Sequence, residues 1–252
     1  MILPRLDILL FGFTMLIVKP TIGSPQTITV ATRDQIVKAV EQAKPGTTIS
    51  IASGTHQGGL HFNGLQGQEG MPIILAAAEN AEPPIFQGNN SCFHLTDPAF
   101  VELHNLILTD ASGNGINIDN GGSYDTPAHH VVLLGLTIRD VGPEGNHDAI
   151  KLSGLDNFRV ENCKTERWRT SGSGIDLVGC HRGEVVGYTF RYRSDVAAMP
   201  RYVAHVWTNR ITSICFAART VRCTPESALF WCNGSTLTRT ARTPSTHAVG
   251  CR

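Results

Sequence analysis

Apolar residues recur along the chain in short alternating triplets. Phe93-His94-Leu95, Ile116-Asn117-Ile118, Ile150-Lys151-Leu152 and Ile175-Asp176-Leu177 each send two apolar side chains to one side of a strand and a polar one to the other, and they start 23, 34 and 25 residues apart. Each is followed by a second triplet, Val101-Glu102-Leu103, Val131-Val132-Leu133, Phe158-Arg159-Val160 or Gly183-Glu184-Val185, which starts 8, 15, 8 and 8 residues later. The long offset coincides with extra residues from Gly121 to His130. Two residues beyond each second triplet comes a corner residue, Asn105, Gly135, Asn162 or Gly187. A third pair of inward positions follows it: Leu106 and Leu108, Leu136 and Ile138, Cys163 and Thr165, Tyr188 and Phe190. Three short strands per turn of about 25 residues predict a parallel β-solenoid, because antiparallel hairpins do not place a corner at a fixed offset. The register stacks Ile116, Ile150 and Ile175 in one column, and Leu133, Val160 and Val185 in another.

A single helical pattern precedes the coils. Thr32-Arg33-Asp34-Gln35 has the form of a capping box, and Ile36, Val37, Val40 and Ala43 share one helical face before Pro45-Gly46 stops the pattern. The helix over residues 33 to 43 is expected to lid the first coil, whose sheet ends are otherwise open. Thr48-Ile49-Ser50-Ile51 and Pro72-Ile73-Ile74-Leu75 read as strands. At the start of the chain, Arg5 and the run Ile8 to Val18 are too short to span a bilayer, and small residues at Thr21 and Gly23 suit cleavage. Residues 1–23 are therefore read as an export leader, giving a secreted or periplasmic protein whose β-helix occupies 24–198.

Composition narrows this picture and then breaks it. With 252 residues, 41% of them hydrophobic, the chain can bury a sizeable core as one domain. Twenty-one basic side chains balance 21 acidic ones, so nucleic acid is not an expected partner. The only long apolar run is N-terminal, so no stable membrane insertion is expected. Seven cysteines with no CxxC pair suggest neither a disulfide framework nor a zinc site. From Met199 to Arg252, however, there is no lysine, one acidic residue (Glu226), seven arginines, nine threonines and four of the seven cysteines. Residues 199–252 thus lack the turn residues of a solenoid and read as a frameshifted or truncated continuation, outside the fold.

The coil pattern, with Ile28-Thr29-Val30, Gln35 to Val40, Lys44-Pro45-Gly46-Thr47-Thr48-Ile49, Gly54-Thr55-His56 and Gly70-Met71-Pro72-Ile73, resembles the right-handed parallel β-helix proteins of the pectin-lyase-like superfamily. Within it the N-terminal stretch is most similar to the alginate lyase and chondroitinase B group, over about residues 28 to 198. The resemblance implies an all-β, right-handed parallel β-helix with an N-terminal capping helix. Lyases, hydrolases, esterases and non-catalytic proteins share that fold, so it does not fix an activity.

Alternation places His94, Asn117, Lys151 and Asp176 outward on one sheet, one per coil, about 4.8 Å apart. Such a ladder suits a sugar polymer, and the insertions Gly121 to His130 and Asp140 to Asp148 would wall it, bringing Asp125, Glu144, His147 and Asp148 near. His94, Asn117, His147 and Asp176 are the candidate contacts to an acidic polysaccharide. The alternative for each is a solvated ladder residue. Cleavage of a uronide by β-elimination needs the carboxylate neutralised and a base at C5. In the group this chain resembles, a lysine base, an arginine acid and often calcium do that work. The resemblance thus makes Lys151 the candidate base and Arg169 the candidate acid. The charges around Lys151 favour a substrate-carboxylate contact over proton transfer, with Asp176 an exposed partner worth roughly 0–1 kcal/mol. Hard oxygens at Asp119, Asp140, Glu144 and Asp148 form a candidate calcium set, against their reading as turn caps. His129, His130 and His147 read as turn residues and Cys163 as core. No GxSxG elbow, P-loop or polygalacturonase signature occurs. A non-catalytic carbohydrate-binding or cell-surface solenoid is the competing function.

Overall fold

A computed structural model describes residues 25–123, 125–143, 145, 147–168 and 172–191, together with the backbone of 202–207, 214–222 and 230–233. Residues 1–23, which the sequence reads as an export leader, Glu144, Arg169 and most of 199–252 lie outside the described residues.

The chain coils into a parallel β-helix with three strands per turn. The first sheet stacks Leu60–Asn63, Phe93–Thr96, Ile116–Asp119, Ile150–Ser153 and Ser173–Val178, all parallel and in register. The second stacks Gln26–Val30, Thr47–Ile51, Ile73–Ala77, Ala99–His104, Ala128–Leu134, Arg159–Glu161 and the start of Gly183–Arg191. A third runs through Thr55–Gln57, Ile85–Gln87, Ile107–Thr109, Thr137–Arg139, Lys164–Glu166 and the end of Gly183–Arg191. The backbone of Tyr202–Trp207 runs parallel to Ser173–Val178, that of Ile214–Arg222 to Gly183–Arg191, and that of Phe230–Asn233 to Tyr202–Trp207.

The alternation in the sequence translates directly into columns. Ile116 pairs with Phe93 below and Ile150 above, and Ile150 pairs with Ile175. Leu103, Leu133, Val160 and Val185 form the second column, and Phe86, Leu108, Ile138, Thr165 and Phe190 the third. These side chains are fully buried and form one continuous core. Cys163 lies in that core, and burial pushes its thiol up to about 12, which removes it as a nucleophile.

Corners between strands need the left-handed backbone, and the chain supplies it as ladders. Asn105, Gly135, Asn162 and Gly187 stand at φ of 55°, 65°, 52° and 64°. Gly135 is confined further, because a β-carbon there would overlap the Asn105 side chain in the coil below. Phe100, His130, Asn157 and Arg182 build a second such ladder at φ of 51°, 53°, 53° and 50°, and Asp110, Asp140 and Arg167 a third. Phe100, His130, Arg182 and Arg167 give no sign of it in their residue types. Stacking holds them: Phe100 lies flat on His130 with centroids 4.4 Å apart, and Arg167 clamps Asp140 through two hydrogen bonds of 2.6 and 2.5 Å.

The helix forms over Arg33–Glu41 with the expected capping box: Thr32 Oγ1 accepts from the Gln35 amide, and Gln35 Oε1 accepts from the Thr32 amide. Ile36, Ala39 and Val40 are buried, with Val37 and Ala43 partly so, and the helix packs on the first two strands of the second sheet. Thr32→Ala removes one partner of that cap and is expected to cost about 1 kcal/mol, read as a lower urea midpoint with an unchanged slope.

Candidate functional site

The first sheet carries the candidate site because both long insertions flank it. Residues 120–127 leave the coil at the C-terminal end of Ile116–Asp119, and residues 140–149 re-enter it at the N-terminal end of Ile150–Ser153. Between them the outward positions line up. His94 pairs with Asn117, Asn117 with Lys151, and Lys151 with Asp176, so the structure brings together four of the six side chains the sequence singles out. His147 stands at the margin, its β-carbon against Gly142 and its backbone against Gly172. Arg169 lies outside the described residues.

The ladder begins one coil earlier than the sequence reading places it. Leu60-His61-Phe62 fits the same apolar-x-apolar template, and His61 stacks on His94 with ring centroids 4.2 Å apart and planes 5° off parallel. His61 Nε2 lies 3.1 Å from Thr96 Oγ1, and His94 Nε2 lies 2.6 Å from Asp119 Oδ2. The Asn117 amide donates to the same Asp119 oxygen at 3.1 Å, and Asp119 Oδ1 accepts from the Gly121 amide at 2.9 Å. Asp119 therefore orients the face and pins the start of one wall.

The other end of the ladder is charged and partly closed. Lys151 Nζ donates to Asp176 Oδ2 at 2.7 Å and to Asp148 Oδ2 at 3.4 Å. Asp176 is an outward residue, yet only 6% of it is exposed, and Asp148 is 2% exposed. This corrects the expectation of a solvated Lys151–Asp176 pair. The partner is a buried carboxylate held beside a second one, and such a pair is not weakened as a surface pair is. Asp148 Oδ1 accepts from the Ser173 amide at 2.7 Å, and the Asp148 amide donates to Asn114 Oδ1 at 2.8 Å, so this residue, through side chain and backbone together, joins three successive coils.

Burial is the main cause that pushes the Asp148 carboxyl up to about 6, reinforced by the Asp176 charge and opposed by Lys151 and the Ser173 amide. For Lys151, burial lowers the pKa, but the hydrogen bond and charge of Asp176, together with those of Asp148, outweigh it and hold the ammonium above its ordinary range. A raised pKa keeps the proton on the nitrogen, which favours an electrostatic role over proton abstraction.

The acidic residues considered for calcium are engaged elsewhere: Asp119 with His94 and Asn117, Asp140 with Arg167, and Asp148 with Lys151 and Ser173. Among the described residues no three or more acidic, histidine or cysteine side chains converge as a metal site. Glu144 lies outside them. His129 and His130 sit on the second sheet, edge to face, with their Nδ1 atoms 2.9 Å apart, away from the ladder.

Comparison with solved structures gives the fold an independent footing. A mannuronic acid specific polysaccharide family 6 lyase from human gut microbiota superposes with a TM-score of 0.60 at 18% identity, over 81% of this chain and 50% of that one. The likeness is one of fold, the parallel β-helix. The chain spans half the length of that enzyme. An alginate lyase from Paenibacillus sp. str. FPU-7, with a TM-score of 0.41 and 18% identity over 81% of this chain and 97% of its own, is a looser superposition. No protein-family model matches the chain, and no curated protein matches it. Among the described residues no helix is long and apolar enough to cross a membrane.

Proposed function

We propose that this β-helix binds an acidic polysaccharide along the outward face of its first sheet, as part of an exported protein. One observation carries the reading: His61, His94, Asn117, Lys151 and Asp176 form an in-register polar ladder, one residue per coil, between two insertions. A polymer of sugar units meets a repeating set of hydrogen-bond donors and acceptors there, with the Lys151 ammonium as the group that answers a uronate carboxylate.

A lyase reaction is the second reading, and the superposition with a polysaccharide lyase favours it. In that reading a cation neutralises the uronate carboxylate, the C5 proton leaves to a base, and the C4–O bond breaks to give an unsaturated product. Lys151 and Arg169 are the residues proposed for it. The raised pKa of Lys151 suits the neutralising part better than the base.

Incubation with alginate, pectate and glycosaminoglycans, followed at about 235 nm where the unsaturated uronide absorbs, separates the two readings. Binding without absorbance is the expected outcome for the ladder alone, and a rising absorbance establishes cleavage. Neither binding nor absorbance with any of the polymers overturns both.

A further inference from the structure

At its N-terminal end the polar ladder of the first sheet runs into a cavity beneath the capping helix. Among the described residues the strand Leu60–Asn63 is the edge of that sheet and pairs only with Phe93–Thr96. Leu60 and Gly64 give their amides to Cys92 and Thr96 of the next coil, so alternation turns the amides and carbonyls of His61 and Asn63 to the unpaired edge. Across that edge stands the helix Arg33–Glu41. The space between helix and strand is a cavity of about 460 Å³, with Arg33, Val37, Glu41, His61, Asn63 and Gln66 in its lining. That volume lies within the range of small-ligand sites, about 300–1,000 Å³. His61 belongs to both the ladder and the cavity, so the two are continuous.

Arg33 brings to this cavity a cation that the fold leaves unanswered. Its Nη2 donates to the Gly59 carbonyl at 3.3 Å, its Nε is buried with no hydrogen-bond partner, and no carboxylate pairs with it among the described residues. A guanidinium offers its donors in a planar fork that matches a carboxylate, and a buried donor left unpaired is costly until such a group arrives. Glu41, the one acid of the lining, stands eight residues further along the helix, about 12 Å away by the helical rise. We propose that this cavity is the terminal subsite of the ladder, where Arg33 receives the carboxylate of a uronate unit and the main-chain groups of His61 and Asn63 meet its hydroxyls. The proposal rests on the groove reading above and names the residues at one end of it.

The test is isothermal titration of the native chain, Arg33→Gln and Arg33→Lys with acidic oligosaccharides cut from alginate, pectate and a glycosaminoglycan, each long enough to cover the ladder. Glutamine keeps the helix propensity of arginine without its charge, and lysine keeps the charge without the fork. For an oligosaccharide that the native chain binds, the affinity of Arg33→Gln is expected to be lower by about tenfold or more, and that of Arg33→Lys to lie between the two. Equal affinity in the native chain and Arg33→Gln overturns the subsite and leaves the groove reading standing. Absence of binding to the native chain with all three overturns the groove reading and the subsite together. Phenylglyoxal, which modifies arginine, decides the matter on the native chain even where the variants do not fold. Arg33 is partly exposed, so peptide mapping is expected to find it modified in the free protein and protected by saturating oligosaccharide. Undiminished modification of Arg33 at saturation overturns the subsite.

Discussion

Lys151→Ala is expected to destabilise the protein by about 3 kcal/mol at pH 8, and by much less at pH 5. Removing the ammonium takes away the cation to which Asp148 and Asp176, both largely buried, are bonded. The low end of the usual range for breaking a buried pair applies, because the lysine itself is about one-third exposed. The pH dependence has a definite sign. A carboxyl whose folded pKa lies above its unfolded value binds more protons when folded, so acidification through that pKa stabilises the fold. The Asp148 value of about 6 rises further without Lys151, and the deficit of the variant shrinks as Asp148 takes its proton. Urea denaturation of both chains at the two pH values reads the effect. An equal deficit at both would show that the lysine acts through packing of its aliphatic stem. The same argument makes Lys151→Ala a poor probe of glycan binding, since it disturbs the coil as well as the face.

Ile150→Ala is expected to cost about 2–5 kcal/mol. Ile150 is wholly buried between Ile116 and Ile175 in the first-sheet column, and the coils above and below are tied by main-chain ladders that resist collapse into the space left behind. Ile150→Val, which removes one methylene from the same site, is expected to cost about 1 kcal/mol. A solenoid transmits such damage along its length because each coil buries its faces only against its neighbours. Thermal unfolding by circular dichroism distinguishes the pair. Equal melting temperatures for the alanine variant and the native chain would place Ile150 outside the core.

The repeat was legible in the sequence because burial in a β-helix is decided by alternation, and Ile116, Ile150 and Ile175 advertise their side of the strand unambiguously. The corner at Asn105, Gly135, Asn162 and Gly187 was legible for a similar reason, since Asn and Gly are the residues that tolerate a left-handed backbone. The corner at Phe100, His130, Asn157 and Arg182 was not, because nothing in a Phe or an Arg signals positive φ. Tertiary stacking imposes it. Three-residue strands such as Thr55–Gln57 and Ile85–Gln87 escaped because so short a segment carries no period.

For the site, alternation was sufficient to align His94, Asn117, Lys151 and Asp176, but it equates outward with exposed. Asp176 points outward and is nonetheless buried, beside an insertion whose last residue, Asp148, crosses to the Ser173 amide. That closure is a property of where a loop lands, and no local pattern encodes it. His61 was within reach, since its strand obeys the same triplet rule as the four above it.

The central claim is that the outward face of the first sheet receives an acidic polysaccharide. Photo-crosslinking with an azide-bearing alginate oligomer at about pH 5, followed by peptide mapping, tests it most directly. The account predicts adducts on the segments carrying His61, His94, Asn117 and Lys151, suppressed by excess unlabelled oligomer. Competable adducts confined to the third sheet, around Ile107–Thr109 and Thr137–Arg139, would contradict it.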